Sequence, residues 1–249
     1  MSIKPSSFNK YPKHHIQSKR TPFWGRVKKW LLSFILLFVL LSVGICELLR
    51  WLPPSTTMFM LYRHAEDAVY DHRVKPMSFK WVAKDKIAKN AFVAVIASED
   101  QRFFQHHGFD FQAIGAAIDV YMDGGSLRGA STLSQQVAKN VFLLPSKSFL
   151  RKGLEVWFTV LIEALWGKQR ILEVYLNIAE FGDHIFGIEA ASQRYFGISA
   201  QRLNAQQAAL LAATLPNPIV LRTLHPSVQV IRRQQWILRQ MPNILLAEH

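Results

Sequence analysis

Residues 149–166 read Phe-Leu-Arg-Lys-Gly-Leu-Glu-Val-Trp-Phe-Thr-Val-Leu-Ile-Glu-Ala-Leu-Trp. Leu154, Phe158, Leu161 and Leu165 recur at helical spacing and form the expected buried stripe. Gly167 is placed to end the helix as its C′ residue. Arg151 and Glu155 stand at i and i+4, so they meet, and the helical wheel sets both beside Phe158 and Ile162. A guanidinium and a carboxylate at the edge of a core are more constrained than a surface pair. A plain helix ion pair is nevertheless the commoner meaning of that spacing.

The same periodicity extends to both sides of this helix. Upstream, Ile87–Ser98 predicts a helix that is apolar nearly all round, and Asp110 caps a second one through Tyr121. A glycine-rich loop, Gly124–Gly129, leads to Ser131, read as the cap of a helix through Phe142. Downstream come Ile171–Ile178, Ile188–Phe196 with Gly197 as its stop, and Asn204–Leu215. Pro226 opens a basic terminal helix that carries Arg232, Arg233 and Arg239. Residues 53–85 read as an irregular connector with a short strand near Phe59–Tyr62. Long strands are scarce and no repeat is seen, so the fold is expected to be mainly α.

The chain has 249 residues, half of them apolar, and a formal charge of +13. Residues 1–29 carry eight basic side chains and no acidic one; the remainder has 22 basic against 17 acidic residues. More than half of the excess is thus one N-terminal arm, which argues for a topology signal and against nucleic acid. Trp30 to Cys46 is a run of 17 residues without a charge, and Trp30 and Trp51 bracket its extended form. It predicts a transmembrane helix over 30–52, with the arm in the cytoplasm and all that follows outside. A cleaved signal peptide fits less well, because no small-x-small site follows the apolar run. With Cys46 as the one cysteine, neither an intramolecular disulfide nor a Cys-based zinc site is expected. The organisation is a basic arm 1–29, the transmembrane helix 30–52, a connector 53–85 and a helical domain 86–249.

Three clusters carry chemistry. In the first, Glu99 follows the apolar helix, where the helix dipole and an apolar wall would both make it a better proton acceptor. A solvent-facing Glu at a helix end is the bland alternative. His106 and His107 lack the spacing of a metal pair and fit a loop-stapling hydrogen bond better. In the second, Gly129 to Asn140, hydroxyls and free N–H groups at a helix start suit an anion such as phosphate, and Lys139 shares a face with Thr132. An ordinary capped helix is the alternative. The third is the Arg151–Glu155 pair. Together they suit chemistry at an anomeric carbon with a phosphate-type leaving group.

The ordered motifs E-D-x-x-F-x-x-H-x-G-x-D at Glu99–Asp110, G-A-S-T-x-x-Q-Q-x-x-K-N at Gly129–Asn140, R-K-x-x-E at Arg151–Glu155 and I-L-E-x-Y-L-N at Ile171–Asn177 carry a resemblance. Phe181-Gly182, Gly187, Tyr195-Phe196-Gly197 and the Ala208–Pro218 segment extend it. The chain resembles the glycosyltransferase domain of peptidoglycan polymerases, family 51, over roughly two-thirds of its length. Leu133 and Ser134 stand where many members have Ile and Thr. No penicillin-binding transpeptidase motifs are seen, so the resemblance is to the monofunctional biosynthetic members, which make strands without cross-linking them.

The resemblance implies a lysozyme-like helical fold, with a jaw that dips into the bilayer and holds Gly124–Gly129 and Val141–Leu144. It implies that lipid II is the acceptor and a lipid-linked glycan strand the donor, joined β-1,4 with inversion. Glu99 and Glu155 would be the catalytic carboxylates, Glu99 as the base. Asp100, Phe103, His106, Ser131, Thr132, Gln135, Gln136, Lys139, Asn140, Arg151 and Lys152 would bind substrate, with Lys139 and Arg151 supplying charge. No tightly bound cofactor is implied; a divalent cation (Mg or Mn) at Glu155 and an orienting role of Glu155 toward Arg151 both stay open. The partners are the bilayer of the bacterial inner membrane and the lipid-linked substrates. Cell-wall synthesis or division proteins are admitted, and nucleic acid is not expected. A lytic enzyme of the same architecture and an inactive membrane scaffold are the competing functions.

Overall fold

The computed structural model describes residues 23–70, 74–125 and 131–247. The basic arm up to residue 22 and positions 126–130 of the glycine-rich loop lie outside the described residues. The chain divides into two units, residues 1–41 and 42–249. Helix α1 (Phe23–Trp51) is long and apolar enough to cross a membrane and fits a membrane anchor. It starts before Trp30 because no proline interrupts Phe23–Trp51, and Arg26, Lys28 and Lys29 are good helix formers. Pro53 and Pro54 follow its end.

The second unit is helical. Helix α2 (Met58–Tyr70) occupies the stretch expected to be an irregular connector, and a helix stands where a strand near Phe59–Tyr62 was expected. Thr57 Oγ1 accepts from Met60 N at 3.1 Å, and Met60 and Asp67, two turns apart, are buried. The unbroken apolar run Met58–Tyr62 hides this periodicity. Strand β1 (Ser78–Phe79) follows, then α3 (Lys89–Glu99), α4 (Phe111–Met122), α5 (Leu133–Phe142), α6 (Phe149–Leu165) and α7 (Lys168–Ile178). A bulged hairpin of β2 (Glu180–Gly182) and β3 (Ile185–Phe186) takes β1 as a parallel third strand, in the order β1-β3-β2. Helices α8 (Ile188–Phe196), α9 (Ala205–Thr214) and α10 (Val228–Ala247) complete the chain.

Helix α3 is buried on nearly every side and packs on α9 and α10, while α5 packs on α2, α6 and α7. These two helices set the site. Asp110 caps α4 through the N–H groups of Gln112 and Ala113, Asn204 caps α9, and Gly197 ends α8 in the left-handed region. Three local expectations change. Thr132, not Ser131, caps α5. Gly167 stands at C′ of α6, directly after the C-cap Trp166, as expected, and with φ −74° it also serves as N-cap of α7. Ser227 Oγ accepts from Val230 N at 3.4 Å, so the basic helix starts at Val228, two residues past Pro226. The most buried face of α6 carries Glu155, Phe158, Thr159 and Ile162, with Leu154, Leu161 and Leu165 half-buried at its flank.

Val141 and Leu143 are buried, and Phe142 stacks on Phe158 at 4.3 Å, so only Leu144 of the expected Val141–Leu144 patch is exposed. The exposed apolar surface is on α4, which buries no residue and presents Phe111, Ile118, Tyr121 and Met122. Phe149 and Leu150 at the start of α6 are exposed as well. Surfaces of this kind suit a bilayer. The last turns of α1, from Ser42, are fixed to the helical domain: Trp157 Nε1 donates to Ser42 Oγ at 3.1 Å and Trp166 Nε1 to Cys46 O at 2.8 Å. Arg170 donates to Leu49 O and Leu52 O, each at 2.8 Å.

Gly187 joins the hairpin to α8 with φ +85°, and a Cβ there would lie 2.5 Å from Asn177 O. Buried Asn177 in turn holds residue 82: its Oδ1 accepts from Val82 N at 2.8 Å and its Nδ2 donates to Val82 O at 2.9 Å. Gly187→Ala is expected to cost more than about 1 kcal/mol, combining positive-φ strain with backbone overlap. A thermal melt of the detergent-solubilised protein checks it, and an unchanged midpoint contradicts it.

Candidate functional site

Glu99 is the last residue of α3, and its side chain is 13% exposed. Three donors converge on its carboxylate. Gln136 Nε2 reaches Oε2 at 3.2 Å; Ser98 Oγ and Arg233 Nη2 reach Oε1 at 3.0 and 3.3 Å. The wall beside it is therefore polar where an apolar one was expected. Tyr175 donates to Gln136 Oε1 at 3.4 Å, which extends the chain of hydrogen bonds into α7. Burial, and then the charge of Glu99, push the Tyr175 hydroxyl well above its ordinary value, so it remains a donor.

Asp100 is next in sequence and buried. Its Oδ2 accepts from Leu133 N, the first residue of α5, at 3.0 Å. Its Oδ1 faces His106 Nε2 at 3.0 Å, while His106 Nδ1 accepts from Gly108 N at 3.2 Å. These partners assign the tautomer with hydrogen on Nε2. The loop-stapling role expected for His106 is what the structure has, and both ring nitrogens are used, leaving none for a metal. Phe103 is fully buried, with Lys168 Nζ 4.4 Å from its ring centre, so it packs the loop.

The start of α5 is a capping box. Thr132 Oγ1 accepts from Gln135 N at 3.2 Å, Gln135 Oε1 accepts from Thr132 N at 3.1 Å, and the Thr132 hydroxyl donates to Gly108 O at 2.6 Å. Thr132 and Gln135 are buried, and the N–H groups of Leu133 and Gln135 already have partners. This helix start thus holds the protein's own carboxylate and hydroxyl, where an exogenous anion had been expected. Ser131 is exposed and lines a 280 Å³ concavity together with Glu99, Asp100, Arg102 and Asp110. On the other side of Gln136, a 210 Å³ cavity is lined by Gln136, Lys139, Asn140, Tyr175 and Glu180.

Glu155 is buried and doubly paired. Arg151 Nη1 reaches its Oε2 at 2.6 Å, and Lys152 Nζ donates to its Oε1. Both of its oxygens are thus already paired with cations. Among the described residues, Glu180, Asp183 and His184 come close enough to share an ion. Arg63 already pairs with both carboxylates, and Lys75 with Asp183, so this is an internal charge network. Lys139 differs from all of these: it makes no hydrogen bond or ion pair with the described residues. Burial lowers its ammonium from the ordinary value, with the charges of Glu155, Arg151, Lys152 and Glu99 also felt there. It is a desolvated cation within electrostatic reach of both carboxylates.

The structure therefore brings together Glu99, Gln136, Lys139, Asn140 and the Glu155 group, and uses Asp100, Phe103, His106, Thr132 and Gln135 to hold them. The sequence reading missed Arg233 at Glu99. Its only signal is a basic helix with three candidate arginines.

A transglycosylase family model matches residues 67–242. The chain is 53% identical over 213 residues to a biosynthetic peptidoglycan transglycosylase of Chromohalobacter salexigens, covering 86% of this chain and 91% of the relative. It is 51% identical to the protein of that name in Pseudomonas fluorescens SBW25 (87% and 90% covered) and 50% to the one in Pseudomonas aeruginosa PAO1 (85% and 90%).

A half-buried ammonium without a partner among the described residues costs stability while it is charged in both folded and unfolded states. Lys139→Met is expected to raise stability by about 1 kcal/mol at neutral pH. Because folding lowers the Lys139 value, the advantage of the variant should shrink as pH rises from that lowered value toward the ordinary lysine range. Melts of both proteins across pH check this; a less stable Met variant contradicts it.

Proposed function

The chain belongs to the transglycosylase family, and from that premise we propose that it polymerises lipid II into the glycan strands of peptidoglycan. The observation that carries this reading is a donor-held carboxylate, Glu99, separated by Gln136 from a half-buried cation, Lys139, that is unpaired among the described residues. Glu99 takes the proton of the acceptor's 4-hydroxyl on GlcNAc. That oxygen attacks C1 of the donor's terminal MurNAc, and the C1–O bond to the lipid diphosphate breaks with its electron pair on the diphosphate. Attack opposite to departure inverts the centre to β, as in inverting glycosidases, with a sugar hydroxyl in place of water.

The departing diphosphate meets Lys139, with Asn140 beside it. Glu155 acts on the substrate through Arg151 and Lys152, which it anchors; its two occupied oxygens support this role over metal binding. Ser131 and Gln136 contact substrate directly. Asp100, His106, Phe103, Thr132 and Gln135 act by position. The basic arm supports an inner-membrane placement with the N-terminus cytoplasmic and catalysis on the outer face. Apolar α4 lies against the bilayer, where the lipid-linked substrates are.

The test is incubation of detergent-solubilised protein with labelled lipid II, wild type beside Glu99→Gln, with products sized on a gel. Wild type should give lysozyme-digestible polymer. Glu99→Gln should lose about 10²–10⁴-fold in rate with an unchanged melt. Full activity in the variant removes Glu99 as the base, and shortening of preformed strands by the wild type turns the assignment to a lytic enzyme.

A further inference from the structure

Beyond Pro218, which also walls the Lys139 cavity, a second concavity of about 350 Å³ opens. Asp183, Arg194, Tyr195, Arg222, Thr223 and His225 line it. Arg194 closes the last turn of α8, and Arg222 lies in the segment before α10. Both are exposed, and neither makes a hydrogen bond or ion pair with the described residues. The single carboxylate in the lining is already committed: Asp183 is held by Arg63 at 2.8 Å, Lys75 at 3.1 Å and His184 at 2.8 Å, and although burial raises it, the His184 and Lys75 contacts bring it below its ordinary value. Two guanidinium groups are left facing the space with no internal counter-charge.

Thr223 supplies an independent observation. It is 5% exposed, and its Oγ1 has no hydrogen-bond partner. A buried hydroxyl left unpaired is costly and uncommon. Two planar guanidinium forks beside a spare hydroxyl match an oxyanion, and the fork geometry suits a carboxylate bound through two parallel hydrogen bonds.

We propose that Arg194, Arg222 and Thr223 form a subsite for a carboxylate of the peptide borne by the glycan substrate. The inference rests on the polymerase reading, because that substrate carries a peptide on its sugar. The wall shared at Pro218 lets a sugar near Lys139 trail its peptide into this concavity. The subsite contributes to holding substrate and takes no part in bond making.

The experiment compares lipid II bearing free peptide carboxylates with lipid II whose peptide is amidated, on full-length wild type and on the Arg194→Gln/Arg222→Gln variant. Wild type should show a KM about tenfold higher for the amide. The variant should show the higher KM for both substrates, with kcat and melting unchanged. Equal KM values for the two substrates on wild type, or the same discrimination on the variant, overturn the proposal. Calorimetry with the free acidic peptide reads the subsite without turnover. Binding by wild type but not by the variant upholds the subsite even if no polymer forms, an outcome that would sink the polymerase reading alone. Loss of binding to phosphatidylglycerol vesicles by the variant, with peptide discrimination intact, would assign the arginines to a lipid phosphate and overturn the peptide assignment.

Discussion

The carboxylate of Asp100 is the constraint on which the site depends. It accepts from the first N–H of α5 and from His106, so it joins the end of α3, the loop that follows and the start of α5 at one point. Glu99 precedes it, and Gln136 lies one turn into the helix it anchors. With Asp100 in place, the contact between Glu99 and Gln136 follows from covalent geometry and helix pitch. The capping box of Thr132 and Gln135 and the bond from Thr132 to Gly108 close the same junction from the other side. Buried polar groups satisfied this fully make a rigid unit.

Charge is distributed unevenly over this frame. Glu155 has two cations, Asp183 has three basic partners, and Asp100 has a histidine and a backbone N–H. Lys139, half-buried, has none among the described residues. Natural proteins keep such locally unfavourable groups where function needs them, and the pairing around Lys139 makes the exception conspicuous. The last turns of α1 are tied to α6 and α7 through Trp157, Trp166 and Arg170. The end of the membrane helix is therefore part of the domain that holds the site.

Much of the fold was legible because its signals are local. Asp110, Asn204 and Gly197 mark helix ends through bonds or dihedrals within a few residues of themselves. Helix α2 was missed because five consecutive apolar residues have no period, and only burial at Met60 and Asp67 reveals one. Ser131 and Thr132 are adjacent hydroxyls with equal claims to the cap, decided by the reach of Thr132 to Gly108. The environment of Glu99 was illegible for a different reason. Gln136 lies 37 residues away and Arg233 lies 134 away, so a polar wall assembled from α5 and α10 replaces the apolar one inferred from the helix alone. The motifs named the candidate residues; only packing divides those that face the cavities from those, such as Phe103, that hold the loop.

Asp100 is placed to serve the proposed chemistry through Glu99, and a double-mutant cycle on polymerisation rate measures this. Rates would be measured for Asp100→Asn, Glu99→Gln and the double variant, each checked by melting. If Asp100 acts by placing Glu99, its substitution slows the wild type strongly but costs little more once Glu99 is gone, so the losses are far from additive. Losses that multiply in full in the double variant would rule this out and give Asp100 a role of its own.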